Sequence, residues 1–340
     1  MAAASAASAA SAASAGGYHP GELEVQRRAG VERAAGHVGR SIRDTIPAVA
    51  AAFLAERRML VLGAADADGR MWASLLTGPP GFVRAGDEHT LLTNVRPGPG
   101  DPLAAVLAAG HTPVGTLALE PAARRRMRTN GIAEPHGSGL RIRTQQVYAN
   151  CPKYIQRREV VEWRPHREPS APVIIARLTP AQQAWLAEAD SFFIATSGAD
   201  ATSGADGTAD ASHRGGNPGF VRSTAPDRLS WPEYQGNNMF NTLGNLAQNP
   251  AAGLLIPDWS TGTVLQLTGE ARLDWDPDRA ARHPGAERLV DFRISSVVET
   301  DGGSELLWSA PDFSPANPPV APPDPPSAPD PPSEPGQAVA

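Results

Sequence analysis

Ser212, His213 and Arg214 bring a hydroxyl, an imidazole and a guanidinium together in SHRGGNPGFVR, just ahead of two glycines. In a strand, alternate side chains share a face, so Ser212 and Arg214 stand about 7 Å apart on one side while His213 faces the other with Ala211. A hydroxyl and a guanidinium on one face, with Gly215 and Gly216 letting a ligand approach the backbone, suit an oxyanion such as phosphate. A surface arginine at a strand end explains the same residues without a ligand. Downstream, Asn237, Asn238, Asn241, Thr242 and Asn245 crowd around an expected helix start. They can cap free backbone N–H groups, or they can line an anion site, because a helix N-terminus already favours negative charge.

The elements that hold these residues occur twice. FLAERRMLVLGAADADGRMWASLLTGPPGFVR, from Phe53, aligns with WLAEADSFFIATSGADATSGADGTADASHRGGNPGFVR, from Trp185. Leu54-Ala55-Glu56 matches Leu186-Ala187-Glu188 at a spacing of 132, and Gly81-Phe82-Val83-Arg84 matches Gly219-Phe220-Val221-Arg222 at 138. The difference of six is a tandem hexapeptide, TSGADA then TSGADG over residues 196–207, which marks an exposed hairpin tip. In this register Leu75-Leu76 of the first copy becomes His213-Arg214 in the second. Each copy reads as a helix, a strand, a turn and further strands. In the first copy, Val31, Val38, Ile42, Ile46, Val49 and Phe53 form one amphipathic stripe. In the second, Thr179-Pro180-Ala181-Gln182 reads as a capping box with proline at the first helical position. VGTLAL and AGLLIP, then RMRTNGIA and LQLTGEARL, supply later strands that pass through a glycine. The fold class is therefore mainly β with flanking helices, one small antiparallel barrel per copy.

With 340 residues the chain can bury two cores. The expected organisation is an Ala/Ser leader at 1–20, a first barrel at 21–165, a second at 173–309 and a disordered Pro-rich tail at 310–340. The leader lacks the basic and Leu-rich regions of a signal peptide. The tail favours extended polyproline conformations, and a ligand for an SH3-like partner is its alternative role. A net charge of −6 disfavours nucleic-acid binding. The single cysteine excludes an internal disulfide and suits a cytoplasmic location. No apolar run is long enough to span a bilayer.

SHRGGNPGFV, GNNMFNTLGNLAQNPAAGLL and VLQLTGEARLDWD together resemble the pyridoxamine 5′-phosphate oxidase-like family of FMN-binding split barrels. GRMWASLLTGPPGF, RRRMRTNG and NCPKYIQRR resemble the companion region of its two-copy members. The similarity spans roughly residues 20–300. It implies tandem six-stranded Greek-key split barrels, with FMN near a domain or subunit interface. It places Ser212, His213 and Arg214 on the strand that faces the flavin, with Gly216 beside them. Asn237, Asn238 and Thr242 fall at the helix start that meets the phosphate. The vitamin-B6 oxidases carry an Arg-Lys pair near that helix where this chain has Asn-Asn, so the family label names a fold and cofactor rather than a substrate.

Three further stretches carry chemistry. In RRRMR, alternation puts Arg124, Arg126 and Arg128 on one face, either salt-bridged or looking into the groove between the copies. Lys153 and Tyr154 close the first barrel and could reach the flavin, or form an ordinary polar strand end. Cys151 has no histidine beside it in sequence and reads as a spectator thiol. The histidines show no zinc spacing, so no metal is expected, and no GxSxG, Walker A or GxGxxG motif is present. The expected function is an FMN-dependent oxidoreductase passing hydride or electrons through flavin, with a small-molecule substrate and possibly NAD(P)H as donor. No catalytic acid or base is assigned. A non-catalytic flavin or haem binder is the alternative. The chain is expected to form an intrachain pseudo-dimer or a homodimer.

Overall fold

The computed structural model describes residues 17–165, 167–198 and 209–321. Helices α1 (Pro20–Arg28), α2 (Glu32–Gly39) and α3 (Ala48–Ala55) precede strands β1 (Met59–Ala65), β2 (Met71–Thr77), β3 (Val83–Asp87) and β4 (Thr90–Thr93). Helix α4 (Ala104–Ala109) then leads to β5 (Thr112–Glu120), β6 (Arg125–His136) and β7 (Gly139–Ala149). Strands β8 (Val160–Trp163) and β9 (Val173–Ile175) connect the halves. The second half runs through α5 (Pro180–Glu188), β10 (Ser191–Ser197), β11 (Ala209–Gly215), β12 (Arg222–Ala225), β13 (Arg228–Tyr234) and α6 (Asn241–Gln248). It ends with β14 (Ala251–Pro257), β15 (Val264–Asp274), α7 (Pro277–Ala280), β16 (Ala286–Thr300) and β17 (Leu306–Trp308).

The strands form two antiparallel sheets, β2-β1-β5-β6-β7-β4-β3 and β11-β10-β14-β15-β16-β13-β12, and the order is the same in both. Each of these paths has seven strands rather than six, with the chain after Phe82 and after Phe220 folding into an edge hairpin; β9 adds an eighth strand to the second sheet by pairing with β16, and β8 and β17 form a two-stranded sheet of their own. Alternation along the strands explains how the sheets pack. Leu60 and Leu62 enter the first core and Phe192 and Ile194 the second, whereas Met59, Val61, Phe193 and Ala195 fill a third cluster between the sheets. Both faces of β1 and β10 are therefore apolar. Gly115 allows the closest approach: a Cβ there would meet the Asp210 Cα at 2.4 Å, and one at Gly253 would meet the Trp72 Cα at 2.5 Å. Residues 115 and 253, and residues 72 and 210, are each separated by the 138 seen in sequence. Gly81 and Gly219, also 138 apart, adopt the same left-handed turn, with φ +87° and +88°.

Several expectations are revised. The stripe from Val31 to Phe53 is two helices, not one. Helix α2 ends at Gly39, Arg43 then forms a β-bridge with Val147, and Pro47 caps α3, with Val49 left 78% exposed. Helix α5 does open with the Thr179/Gln182 capping box, at 2.9 and 3.2 Å. Tyr18 is buried and His19 caps α1, so the fold begins inside the stretch read as leader; residues 1–16 lie outside the described residues. Although α1 precedes the first sheet, it packs on α6 of the second half. There Gln26 bonds the Met239 carbonyl at 3.0 Å. Residues 310–321 are not a free tail. Asp312 forms a β-bridge with Arg157, Asn317 bonds Gln156 and Asn217, and Val320 packs on the second core. The side chains at Asp312 and Asn317 give this Pro-rich segment polar anchors that composition alone does not reveal. Residues 322–340 lie outside the described residues, as do residues 199–208, most of the tandem hexapeptide. The strands flanking the hexapeptide pair from Ser197 opposite Ala209. No helix of the described residues is long and apolar enough to cross a membrane.

Candidate anion-binding cleft between the two sheets

The inward face of β11 carries Asp210, Ser212 and Arg214 where β2 carries Trp72, Ser74 and Leu76. Asp210 and Ser212 are satisfied from the other half of the molecule, Arg214 from its own. Arg128 on β6 donates to both Asp210 oxygens, at 3.1 and 3.0 Å, and to Ser212 Oγ. The Tyr148 hydroxyl donates to Asp210 Oδ1 at 3.1 Å. Arg214 donates from Nε to Glu233 Oε1 and from Nη1 to Ser212 Oγ, each at 2.6 Å. Beside this network opens a cleft of about 760 Å³, its open mouth included.

Arg126 sets the character of the cleft. Its Nε donates to the Cys151 carbonyl at 3.1 Å, and its Nη1 lies 3.3 Å from both the carbonyl and the ring Nδ1 of His213. Among the described residues no carboxylate stands within ion-pair distance of it. Burial, followed by the positive charges of Arg128 and Arg214, pulls its pKa down to about 9. The surface it retains faces the cleft. Arginine, lysine and arginine again line the same space as Arg128, Lys153 and Arg214, against one lining carboxylate, Glu233. A desolvated cation without a counter-charge is costly, and an anion in the cleft relieves that cost.

The opposite wall is the start of α6. Phe240 occupies its N-cap with a left-handed backbone, and no side chain caps the helix. Asn237 instead accepts the Met239 N–H at 3.1 Å. The Thr242 hydroxyl and the Asn150 side-chain oxygen are buried without a partner, and both residues line the cleft. Free N–H groups and an unpaired hydroxyl are what an anion needs. Tyr154, Asn238 and Phe240 all hold positive φ, at +66°, +62° and +61°, so backbone strain concentrates around this space. Tyr154 packs on Tyr234 with ring centroids 5.3 Å apart, and its hydroxyl donates to the Gln235 carbonyl at 3.0 Å. Lys153 Nζ is 3.5 Å from Gln235 Oε1.

Of the residues singled out from sequence, Ser212, His213, Arg214, Asn237, Asn238, Thr242, Lys153 and Tyr154 are brought together in the lining. Gly216 is not. Its N–H donates to the Asp190 carbonyl and its own carbonyl accepts from Gln156, so Gly215 takes the lining position. His213 is not turned away from the site; it lines the cleft edge while packing on Phe193. Burial, then the charges of Arg126 and Arg214, hold its imidazole neutral, well below the usual histidine range. Arg124 does not share a face with Arg126 and Arg128. β6 begins one residue later, and Arg124, with φ +51°, reaches the Ile155 carbonyl and Asp312 instead. Asp210 and Glu233 were missed. Asp210 had a signal: at the 138 spacing it replaces Trp72, an apolar-to-charged change on the same face as Leu76 to Arg214.

The arrangement can bind and neutralise an anion, and it has no poised nucleophile. The described residues hold no cluster of three metal-ligating side chains. No family model matches the chain, and no curated protein matches it. Among solved structures, it is similar to a HupZ variant from Group A Streptococcus, at 12% identity over 36% of this chain and 98% of that one, with a TM-score of 0.29. A candidate pyridoxamine 5′-phosphate oxidase from Lactobacillus delbrueckii matches at 19% identity over 36% and 93%, with a TM-score of 0.28. An FAD-binding protein from Mesorhizobium loti matches at 10% identity over 39% and 99%, with a TM-score of 0.26. At these scores the likenesses assign neither a ligand nor a reaction to this chain.

Proposed function

We propose that the chain is a two-copy split-barrel flavoprotein that holds FMN in this cleft by its phosphate and serves as an oxidoreductase. The carrying observation is Arg126, a crowded cation that faces the cleft and has no carboxylate partner among the described residues. The residues fit a phosphate. Arg126, Arg214 and Thr242 would hold it, with the uncapped start of α6 contributing N–H groups. Lys153 adds positive charge, while Tyr154, Tyr234 and Phe240 offer aromatic surface for a ring system. When bound, flavin supplies hydride and one-electron chemistry itself. The protein binds, orients and excludes water. The equal strand order and the 138-residue correspondences support a duplication, in which the halves form an intrachain pair and both contribute to one site. A transient encounter with a nicotinamide reductant in the cytoplasm completes this reading.

A second reading is a flavin carrier or sensor. It is favoured by two groups of the cleft lining that are held away from neutrality: His213 is kept neutral and Tyr234 is pushed up to about 12 by burial. Haem has no comparable support, since the His213 ring is in contact with Arg126. The test is the absorption spectrum of the protein as purified, followed by titration with FMN and riboflavin. FMN should bind at least tenfold tighter than riboflavin, and Arg126→Met should erase that difference. Equal affinity for both would remove the phosphate assignment. Bleaching of bound flavin by NADH or NADPH at catalytic rates separates the oxidoreductase from the carrier.

A further inference from the structure

The 138-residue correspondence generates a second cleft on the other side of the molecule. Leu75 and Leu76 there replace His213 and Arg214, and Val264 and Gln266 on β15 replace Arg126 and Arg128 on β6. The pairing geometry persists while the charge is lost. Gln266 Nε2 lies 3.4 Å from Ser74 Oγ, the counterpart of the Arg128–Ser212 contact, and donates to the Ala73 carbonyl at 2.9 Å. Its third contact is Asp101 Oδ2, at 3.2 Å.

Asp101 adds a carboxylate to the lining of this cleft, as does Glu305, against two arginines. The Asp101 carboxylate accepts from Ser74 Oγ at 2.7 Å, the Leu103 N–H at 2.8 Å and Gln266, and no cation pairs with it among the described residues. An anion entering here meets a carboxylate that is already satisfied and no guanidinium from the barrel strands. Two arginines do border the space. Arg167 is committed to Asp301 at 2.8 Å, and Arg96 sits exposed at the rim. Among the described residues, no buried side-chain polar atom lining this cleft lacks a partner, whereas Arg128, Asn150 and Thr242 each present one in the first.

We propose that the chain binds one phosphate-bearing ligand rather than two, and that three paired positions decide which cleft takes it: Arg126 against Val264, Arg128 against Gln266, and Arg214 against Leu76. This rests on the reading of the first cleft as a phosphate site. The first half gives up its own cleft and contributes Arg126 and Arg128 to the site on the second. The fused pair therefore has a single binding face.

The full-length protein, freed of ligand, is titrated with FMN by fluorescence quenching at a protein concentration well above Kd. One equivalent per chain is expected. Arg126→Met should weaken that equivalent by roughly 10- to 150-fold in Kd, and Thr77→Val, in the second cleft, should leave it unchanged. Two equivalents in the wild type, or affinity kept by Arg126→Met and lost in Thr77→Val, overturns the single-site assignment while leaving phosphate binding intact. No binding of FMN or inorganic phosphate by the folded wild type overturns both this inference and the proposed function.

Discussion

Replacing Arg126 with methionine should move stability and affinity in opposite directions. Among the described residues, Arg126 bonds only the Cys151 carbonyl and His213, at 3.1 and 3.3 Å, and it carries its charge without a carboxylate there. Methionine keeps much of the side-chain volume and removes the desolvated charge. The stability of the empty protein should therefore stay within about 1 kcal/mol of wild type, or rise. The same change deletes a charge-assisted contact to the ligand worth about 1.5–3 kcal/mol, or roughly 10- to 150-fold in Kd. Arg128→Met is the contrasting case. It strands Asp210, which is buried and otherwise bonded to Tyr148 and Asn130, and breaking such a pair costs about 3–5 kcal/mol. Urea unfolding of the empty proteins, with FMN titration by fluorescence, measures both quantities. If Arg126→Met costs as much stability as Arg128→Met and leaves FMN affinity unchanged, Arg126 is a strut and the anion site is wrongly placed.

Other consequences can be measured separately. Burial lifts the carboxyl of Glu22 on α1 to about 8, against partial relief from the His19 N–H and Asn241. A raised carboxyl stabilises the fold fully below its unfolded value, about 4.3, and that contribution fades as pH rises toward 8. Thermal unfolding should show wild type losing more stability than Glu22→Gln between pH 5 and 8; parallel curves would refute this. His213 should titrate well below the usual histidine value in proton NMR, and its neutral form should cost stability as pH falls below about 6.5; a ring that titrates normally contradicts the crowding by Arg126 and Arg214. Truncation after Ala321 should leave FMN affinity unchanged. Truncation after Ser309 removes the partners of Gln156, which bonds the Tyr154 carbonyl, and should weaken binding several-fold with faster proteolysis. Equal behaviour of the two truncations would deny residues 310–321 a supporting role.

Much of the fold is legible because strand patterning is local. MLVLGA and SFFIAT become β1 and β10, and the repeat fixes which strands correspond. What sequence could not supply is the partner across the interface. RRRMR reads equally as a solvated face or a site, because nothing local says that Arg128 meets Asp210, distant in the chain. The stripe from Val31 to Phe53 misleads for the opposite reason: the spacing fits a helix, yet the chain leaves it at Arg40 so that Arg43 can bridge Val147, and Val49 is exposed. The tail misleads by composition, since Pro-rich sequence implies no core but does not prevent a strap held by Asp312 and Asn317.

The same substitutions that create the cleft also join the halves. Trp72 and Leu76 pack into the first core, and their counterparts Asp210 and Arg214 bring charge to the second. Unpaired, those charges would destabilise the second half. Arg128 from β6 and Glu233 from β13 neutralise them, so the polar face of β11 is tolerable only with the first half in place. The close approach at Gly115 and Asp210 is the backbone condition for that pairing, because a side chain at 115 would push β5 away from β11. Binding and association of the halves are therefore one problem in this chain. After Asp210 and Glu233 are matched, two of the four cations lining the cleft, Arg126 and Lys153, have no carboxylate partner among the described residues, and Arg126 is the one that the two neighbouring arginines crowd.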